Sequence, residues 1–171
     1  MFHKNIKLVI AFLIIAYAGY QFYEGYIGNG IFLILFSLVF IFFYFRNEII
    51  LLAFLRMRKQ DLEGTQKWLT RIKNPEGALT QKQQGYYNYL HGIIYSQKNL
   101  TQAEKFFRKA LKLGLNMDYD VAMAKLSLAG IALQKRRKRE ATMLLQEAKK
   151  LDKNNMLTEQ IKMMQQQMKR I

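Results

Sequence analysis

The side chains that could carry chemistry in this 171-residue chain are dominated by one basic run, "KRRKR". Five consecutive cations of this kind can bind nucleic-acid phosphates, anionic lipid headgroups or an acidic protein. They can equally form a solvated bend between two helices. The run comprises Lys135, Arg136, Arg137, Lys138 and Arg139. Its role depends on the elements that flank it.

Catalytic and metal-binding chemistry has little support in the sequence. The two histidines, His3 and His91, are far apart and have no carboxylate or thiol close by in the chain. The absence of cysteine excludes a thiol nucleophile, a thiolate metal site and a disulfide. No phosphate-binding loop, metal-ligand spacing or serine nucleophile elbow is present. We therefore expect a protein that is not an enzyme and that uses no cofactor, metal or small-molecule substrate.

Two apolar runs at the N-terminus predict membrane-spanning helices. Residues 8–23 and 25–45 contain no charged side chain. A helix needs about 20 apolar residues to cross a bilayer, which the second run meets easily and the first meets with a few flanking residues. Neither run has the regularly spaced polar residues of a soluble amphipathic helix. Residues 1–45 are therefore predicted to form a transmembrane helical hairpin with its turn at residues 28–30, "GNG".

The charges that flank these runs predict the topology. Lys4 and Lys7 precede the first run, Arg46 begins a second basic group after the second run, and only Glu24 lies between them. Basic residues stay on the cytoplasmic side, so both termini and the following domain should be cytoplasmic. We expect an integral protein of a bacterial inner (plasma) membrane.

A cleavable signal peptide is the alternative interpretation of the first run. Ala16 and Ala18 flank Tyr17 in the manner of a small-residue cleavage site. The bulky Tyr20 and Phe22 that follow are more typical of an aromatic belt at a membrane interface. The second run would remain as an anchor in either case.

The remainder of the chain has a helical pattern that repeats. Residues 89–113 and 127–151 align with corresponding residues 38 positions apart. Thr80 with Gln83, and Thr101 with Glu104, have the spacing of capping boxes, which predicts helix starts at both places. Small residues recur where two helices touch, and large apolar ones recur where they fill the space between hairpins. The matched pairs are Gly92 and Gly130, Ile93 and Ile131, Tyr95 and Leu133, Ala103 and Ala141, Phe107 and Leu145, Ala110 and Ala148, and Leu113 and Leu151.

These positions resemble the tetratricopeptide repeat, a helix-turn-helix unit of about 34 residues. Its alternation of small and aromatic residues is matched by Gly92, Tyr95, Ala103, Phe107 and Ala110. A more degenerate copy precedes them, with Ala53, Arg56, Gly64 and Trp68 in corresponding places. His91 stands where the family usually has Leu, and the customary closing Pro is missing.

The resemblance implies an all-α fold in which residues 46–171 form a short tetratricopeptide-like α-solenoid after the membrane hairpin. A degenerate repeat would occupy residues 46–75, two further repeats residues 80–114 and 118–152, and a C-terminal capping helix residues 155–170. The second span could run on into the first repeat helix, because residues 46–59 contain no helix breaker. The basic run would then be the bend of the last repeat hairpin.

Tetratricopeptide arrays usually bind a peptide or helix in a groove that is lined by the first helix of each unit. The alternative is that Phe54, Ile93 and Ile131 simply pack against neighbouring helices or the C-terminal tail. The groove candidates carried over by alignment are Ile50, Phe54, Met57, Tyr86, Tyr89, Ile93, Gln97, Ser127, Ile131 and Lys135.

The sequence thus predicts a membrane-anchored, non-enzymatic scaffold or adaptor that presents its repeats to a protein partner. One alternative is a structural membrane-surface protein whose basic face binds anionic lipid headgroups, since the net charge is +15. Another is a subunit of a membrane enzyme complex. A nucleic-acid partner is disfavoured because no nucleic-acid-binding motif accompanies the basic residues.

Overall fold

A computed structural model describes residues 4–45 and 47–170, and all regular secondary structure in those ranges is helical. The expected all-α fold is confirmed; His3 and Arg46 lie outside the described residues. The chain divides into two compact units, Met1–Gln83 and Gln84–Ile171. The helices are α1 (Lys4–Tyr23), α2 (Ile27–Phe45), α3 (Glu48–Arg58), α4 (Leu62–Leu69), α5 (Pro75–Ala78), α6 (Gln81–Ser96), α7 (Leu100–Leu113), α8 (Asp118–Gln134), α9 (Lys138–Leu151) and α10 (Thr158–Arg170).

Helices α1 and α2 pack against each other through small residues. Ala11 and Ala18 are buried, as their size suggested, because they let the two helices approach closely. At Gly30 an added Cβ would lie 2.6 Å from the Phe22 ring, so a larger residue would require that ring to move. At Gly19 an added Cβ would have no neighbour within 4 Å.

The reversal between α1 and α2 lies earlier than residues 28–30, where the sequence predicted it. Gly25 adopts a left-handed conformation with φ 83°, which glycine reaches without steric cost. The backbone N–H of Tyr26 donates to the carbonyl of Gln21 at 2.9 Å and closes the turn. The "GNG" segment therefore lies in the first turn of α2.

Of the helices described, α1 is long and apolar enough to cross a membrane, over Ile6–Tyr23. Only 11% of that segment is buried within the protein, so its apolar side chains face outward. The described apolar part of α2, Ile27–Phe42, is shorter.

Helices α2 and α3 are separate, so the expectation that one helix could run from the second apolar segment into the repeats is wrong. Asn47 has extended backbone angles and caps α3. Its side-chain oxygen accepts from the backbone N–H of Ile49 at 3.0 Å and of Ile50 at 3.4 Å. An asparagine that bonds nearby amides in this way competes with helix continuation.

Three helix pairs follow a common register along the chain. Their second helices, α4, α7 and α9, begin at residues 62, 100 and 138, at equal intervals of 38. Their N-cap residues, Asp61, Asn99 and Arg137, keep the same interval. After each of these helix starts, buried residues recur at the same three positions. They are Thr65, Leu69 and Ile72 in the first pair, Ala103, Phe107 and Ala110 in the second, and Ala141, Leu145 and Ala148 in the third. The sequence alignment matched Gly64 and Trp68 to Ala103 and Phe107. In the structure the equivalent residues lie one position later, at Thr65 and Leu69.

The turns before α4 and α9 also share a backbone conformation. Gln60 and Arg136, two repeat intervals apart, have φ 59° and 58°. The next N–H reaches back five residues in both turns, from Asp61 to Arg56 at 3.1 Å and from Arg137 to Ala132 at 2.8 Å. This bond, with a left-handed residue just before it, is a common way to end a helix.

The start of α7 differs from the predicted capping box. Asn99 is the N-cap, and its side-chain oxygen accepts from the backbone N–H of Thr101 at 3.0 Å. Because Asn99 already satisfies the free amides of the first turn, Glu104 is released for another role. At α6 the prediction is supported, since the backbone N–H of Thr80 donates to Oε1 of Gln83 at 3.0 Å.

The last helix, α10, covers the apolar face of α8 and α9. Leu157 and Ile161 are buried in the same cluster as Leu126 and Leu145. Met164 and Met168 pack on this cluster and on a second one, formed by Ala132, Leu133 and Ala141. Met156 and Met163 in the same part of the chain are exposed.

Candidate partner-binding surface

The predicted groove residue Tyr86 joins two helices inside the second unit. Its hydroxyl donates to Oδ2 of Asp120 at 2.6 Å and accepts from the backbone N–H of Asn116 at 3.2 Å. Burial, and then the hydrogen bond to Asp120, raise the pKa of Tyr86 to about 12. Tyr86 therefore holds α6 to the start of α8.

Two further groove candidates also belong to the interior. Tyr89 is buried with its ring centre 6.0 Å from that of Phe107, and burial raises the pKa of its hydroxyl. Ile131 on α8 is only 3% exposed. Both side chains pack the repeat core, so a ligand could reach them only if helices moved apart.

The accessible part of the predicted groove is smaller than the alignment suggested. Gln97 is exposed, while Ile93, Ser127 and Lys135 are half-buried on α6 and α8. The hydroxyl of Ser127 donates to the backbone carbonyl of Met123 at 2.9 Å, and Lys135 makes the ion pair described below. The remaining candidates lie on α3 in the first unit: Ile50 is buried there, and Phe54 and Met57 are half-buried.

His91 packs among aromatic rings. Its ring centre lies 4.5 Å from that of Tyr87 and 5.2 Å from that of Phe106, and Tyr95 lies beyond. Among the described residues, neither ring nitrogen of His91 has a hydrogen-bond partner. Burial lowers the pKa of His91, because the charged imidazolium would lose its hydration. The imidazole packs as a neutral aromatic ring.

The basic run forms the bend between α8 and α9 and the first two residues of α9, and it is partly neutralised by Glu104 on α7. Oε2 of Glu104 accepts from Arg137 at 2.6 Å and from Lys135 at 2.8 Å. Oε1 accepts from Arg108 at 2.8 Å. The hydrogen bond from Arg137, helped by Lys135 and Arg108, holds the pKa of Glu104 well below its usual range.

A second carboxylate, Glu140, extends this network. It pairs with Arg137 at 2.8 Å and with Arg108 on the preceding repeat. The network therefore ties α7 to the start of α9. The sequence pattern indicated Glu104 only as a capping residue and did not indicate Arg108 or Glu140, although the four-residue spacing of Glu104 and Arg108 is a recognised ion-pair signal.

The rest of the basic run faces solvent. Arg136, Lys138 and Arg139 are exposed. Lys138 lines a shallow cavity of about 460 Å³ between α9 and α10, to which Lys162 and Lys169 also contribute. The basic surface at this end of the unit is thus shared by the bend and the C-terminal helix.

No group of three or more His, Cys, Asp or Glu side chains that could hold a metal ion occurs within residues 4–45 and 47–170. Comparison with protein-family models, curated proteins and solved structures gave no match.

Proposed function

We propose that the chain is a membrane-anchored, non-enzymatic adaptor of the tetratricopeptide-like type, which binds a peptide or helix of a protein partner. The observation that carries this proposal is the 38-residue register of three helix pairs, with equivalent starts, caps and buried spacing. Stacked repeats of two helices bury a continuous core and leave their first helices to form an extended surface. Such a surface binds without needing catalytic groups.

Anchoring in the membrane is supported by the outward-facing apolar side chains of α1. Phe12 is 70% and Leu13 60% exposed, which a soluble helix would rarely tolerate along its whole length. The basic residues flanking the apolar segments support a cytoplasmic location of the repeats in a bacterial inner membrane. In this proposal α2 returns the chain to the cytoplasmic side as the second arm of the hairpin.

The partner would contact the accessible edge of α6 and α8. Ile93, Gln97 and Ser127 would touch the ligand, whereas Tyr86 and Tyr89 would hold the helices at the correct spacing. The ion pairs of Lys135 and Arg137 with Glu104 would keep successive hairpins at a fixed angle. A rigid surface binds with a smaller loss of conformational entropy.

Site-specific photo-crosslinking in cells tests the partner surface. A photoreactive phenylalanine derivative at Gln97 or Ile93 should give one discrete crosslinked protein that recurs at both positions. The same group at Gln146, exposed on α9, is the matched control and should not give that product. Identical products from all three positions would contradict the proposed surface.

A further inference from the structure

Helix α3 exposes an apolar face although it belongs to a charged part of the chain. Ile50 and Ala53 are buried, and α3 packs on α4. On another face Leu51, Leu52 and Leu55 are 39%, 37% and 50% exposed. The positions of these leucines, spaced by one and by three residues, put them side by side on the helix.

Helix α4 adds an aromatic ring to this face. Leu52, Leu55 and Trp68 line a shallow cavity of about 280 Å³ whose other walls are Arg56 and Lys59. The guanidinium of Arg71 lies 4.0 Å from the centre of the Trp68 ring. An apolar depression rimmed by cations has the chemistry of a site for anionic amphiphiles.

Two acidic residues near this face are engaged in ion pairs. Asp61 pairs with Arg56 at 3.1 Å, and Glu48 pairs with Lys7. Arg58 and Lys59 at the end of α3 are exposed. The rim is therefore positive, and charge complementarity favours an anionic occupant over a neutral or a cationic one.

The position of α3 in the first unit identifies that occupant. The pair of Lys7 and Glu48 binds the first residue of α3 to the first turns of α1, the helix that could cross a membrane. Only residues 46–47 separate α2 from α3. The leucine face consequently begins at the end of the α1–α2 pair where lipid headgroups would lie.

We propose that the leucine face of α3, together with Trp68, binds anionic phospholipids of the bilayer that holds α1. The leucines would enter the boundary between headgroups and acyl chains, where tryptophan is also favoured. The cationic rim would face the phosphates, whose negative surface potential attracts nearby Lys and Arg. This inference rests on the membrane anchor of the proposed function, and it assigns the lipid contact to α3 and α4 and not to the basic bend.

Trp68 is the only tryptophan in the chain, so its fluorescence reports on this face without labelling. The full-length protein would be reconstituted in bilayers of phosphatidylcholine with phosphatidylglycerol, and quenching by brominated lipids compared with quenching by aqueous acrylamide. Bromines close to the headgroups should quench Trp68 more than bromines near the bilayer centre. Acrylamide should quench it less in bilayers than in a detergent-free urea solution of the protein.

A second variant separates failure of this inference from failure of the anchor. In a Trp68→Phe background, Phe12→Trp places the reporter within the α1 segment, where quenching should be strongest from bromines near the bilayer centre. Deep quenching at position 12 without shallow quenching of Trp68 would overturn the lipid-binding face and leave the anchor intact. No lipid quenching at either position would remove the anchor and the inference together.

Two matched double variants test the contribution of the cationic rim to lipid binding. Arg58→Gln with Lys59→Gln should abolish the increase in shallow Trp68 quenching that comes with added phosphatidylglycerol. Lys105→Gln with Lys109→Gln changes the net charge equally on the exposed side of α7 and should leave that increase in place. Equal losses from the two pairs would show that diffuse charge, and not this face, attracts the lipid.

Discussion

At the scale of single residues, Glu104 connects two consecutive repeats through ion pairs. Its side chain is only 13% exposed and receives three cationic side chains from two consecutive repeats. Networks of this kind stabilise a protein more than isolated surface pairs do. Loss of its charge would leave three partly desolvated cations without their shared acceptor.

Replacing Glu104 with Gln should therefore lower the free energy of unfolding by about 1–2 kcal/mol near neutral pH. This range allows for solvent screening, because Arg108 and Arg137 are 49% and 37% exposed. Urea unfolding of the detergent-solubilised protein, followed by circular dichroism, would measure the difference. Glu147→Gln, which removes an exposed pair with Lys125, is the matched control and should cost less.

The pH dependence of this difference has a definite sign. Because the folded-state pKa of Glu104 lies below its ordinary value of 4.5, its stabilising contribution is complete above pH 4.5. The contribution is lost as the pH falls from 4.5 toward the depressed folded-state pKa. The difference in the free energy of unfolding between wild type and Glu104→Gln should therefore decrease in acid. A difference that increased there would contradict the ion-pair role of Glu104.

At the scale of helices, the start of α7 can be tested directly. Asn99→Ala removes the side chain that bonds the first free amides and should destabilise the protein by about 1 kcal/mol. Thr101→Ala, two residues later, removes the residue that the capping-box pattern indicated and should cost much less. Thermal unfolding of the two variants measures both effects, and a larger loss at Thr101 would restore the capping box.

The contact between α8 and α9 gives a second test at this scale. Ala141 is fully buried beside Ala132 and Leu133, so Ala141→Phe should overpack the hairpin and cost about 1–3 kcal/mol. Met143→Phe is the control, because Met143 lies on the same helix and is 58% exposed. Equal unfolding temperatures for both variants would mean that Ala141 does not lie at a tight contact.

The sequence predicted which helices exist better than it predicted how they begin and end. Periodicity at 38 residues identified Ala103, Phe107 and Ala141 as buried, since burial follows the face of a helix. The ends depend on which of several nearby side chains reaches a free amide, as Asn47 and Asn99 do.

The candidate surface was predicted less well than the fold, because accessibility depends on tertiary packing. The alignment predicted Tyr86 and Ile131 as groove residues, but Tyr86 bonds Asp120 and both side chains are buried. The pairing of the basic run with Glu104 joins residues more than 30 positions apart, and no local pattern reports such a contact.

At the scale of the whole molecule, the charge asymmetry around α1 and α2 predicts a hairpin with both ends in the cytoplasm. A reporter fused after Ile171 should be cytoplasmic, and one inserted at Gly25, in the turn between the helices, should be on the opposite side. Paired alkaline-phosphatase and fluorescent-protein fusions would measure both locations. A C-terminal reporter outside the cytoplasm would contradict the location and the class of partner together.

The short turns at Gln60 and Arg136 limit how the chain length can vary. Each turn joins two helices through three residues, and the left-handed residue is the second of the three in both turns. One residue inserted there must be looped out, or it rotates the next helix by about 100° and turns its buried positions toward solvent. Insertions and deletions should thus be tolerated as whole 38-residue hairpins far better than as single residues within a turn.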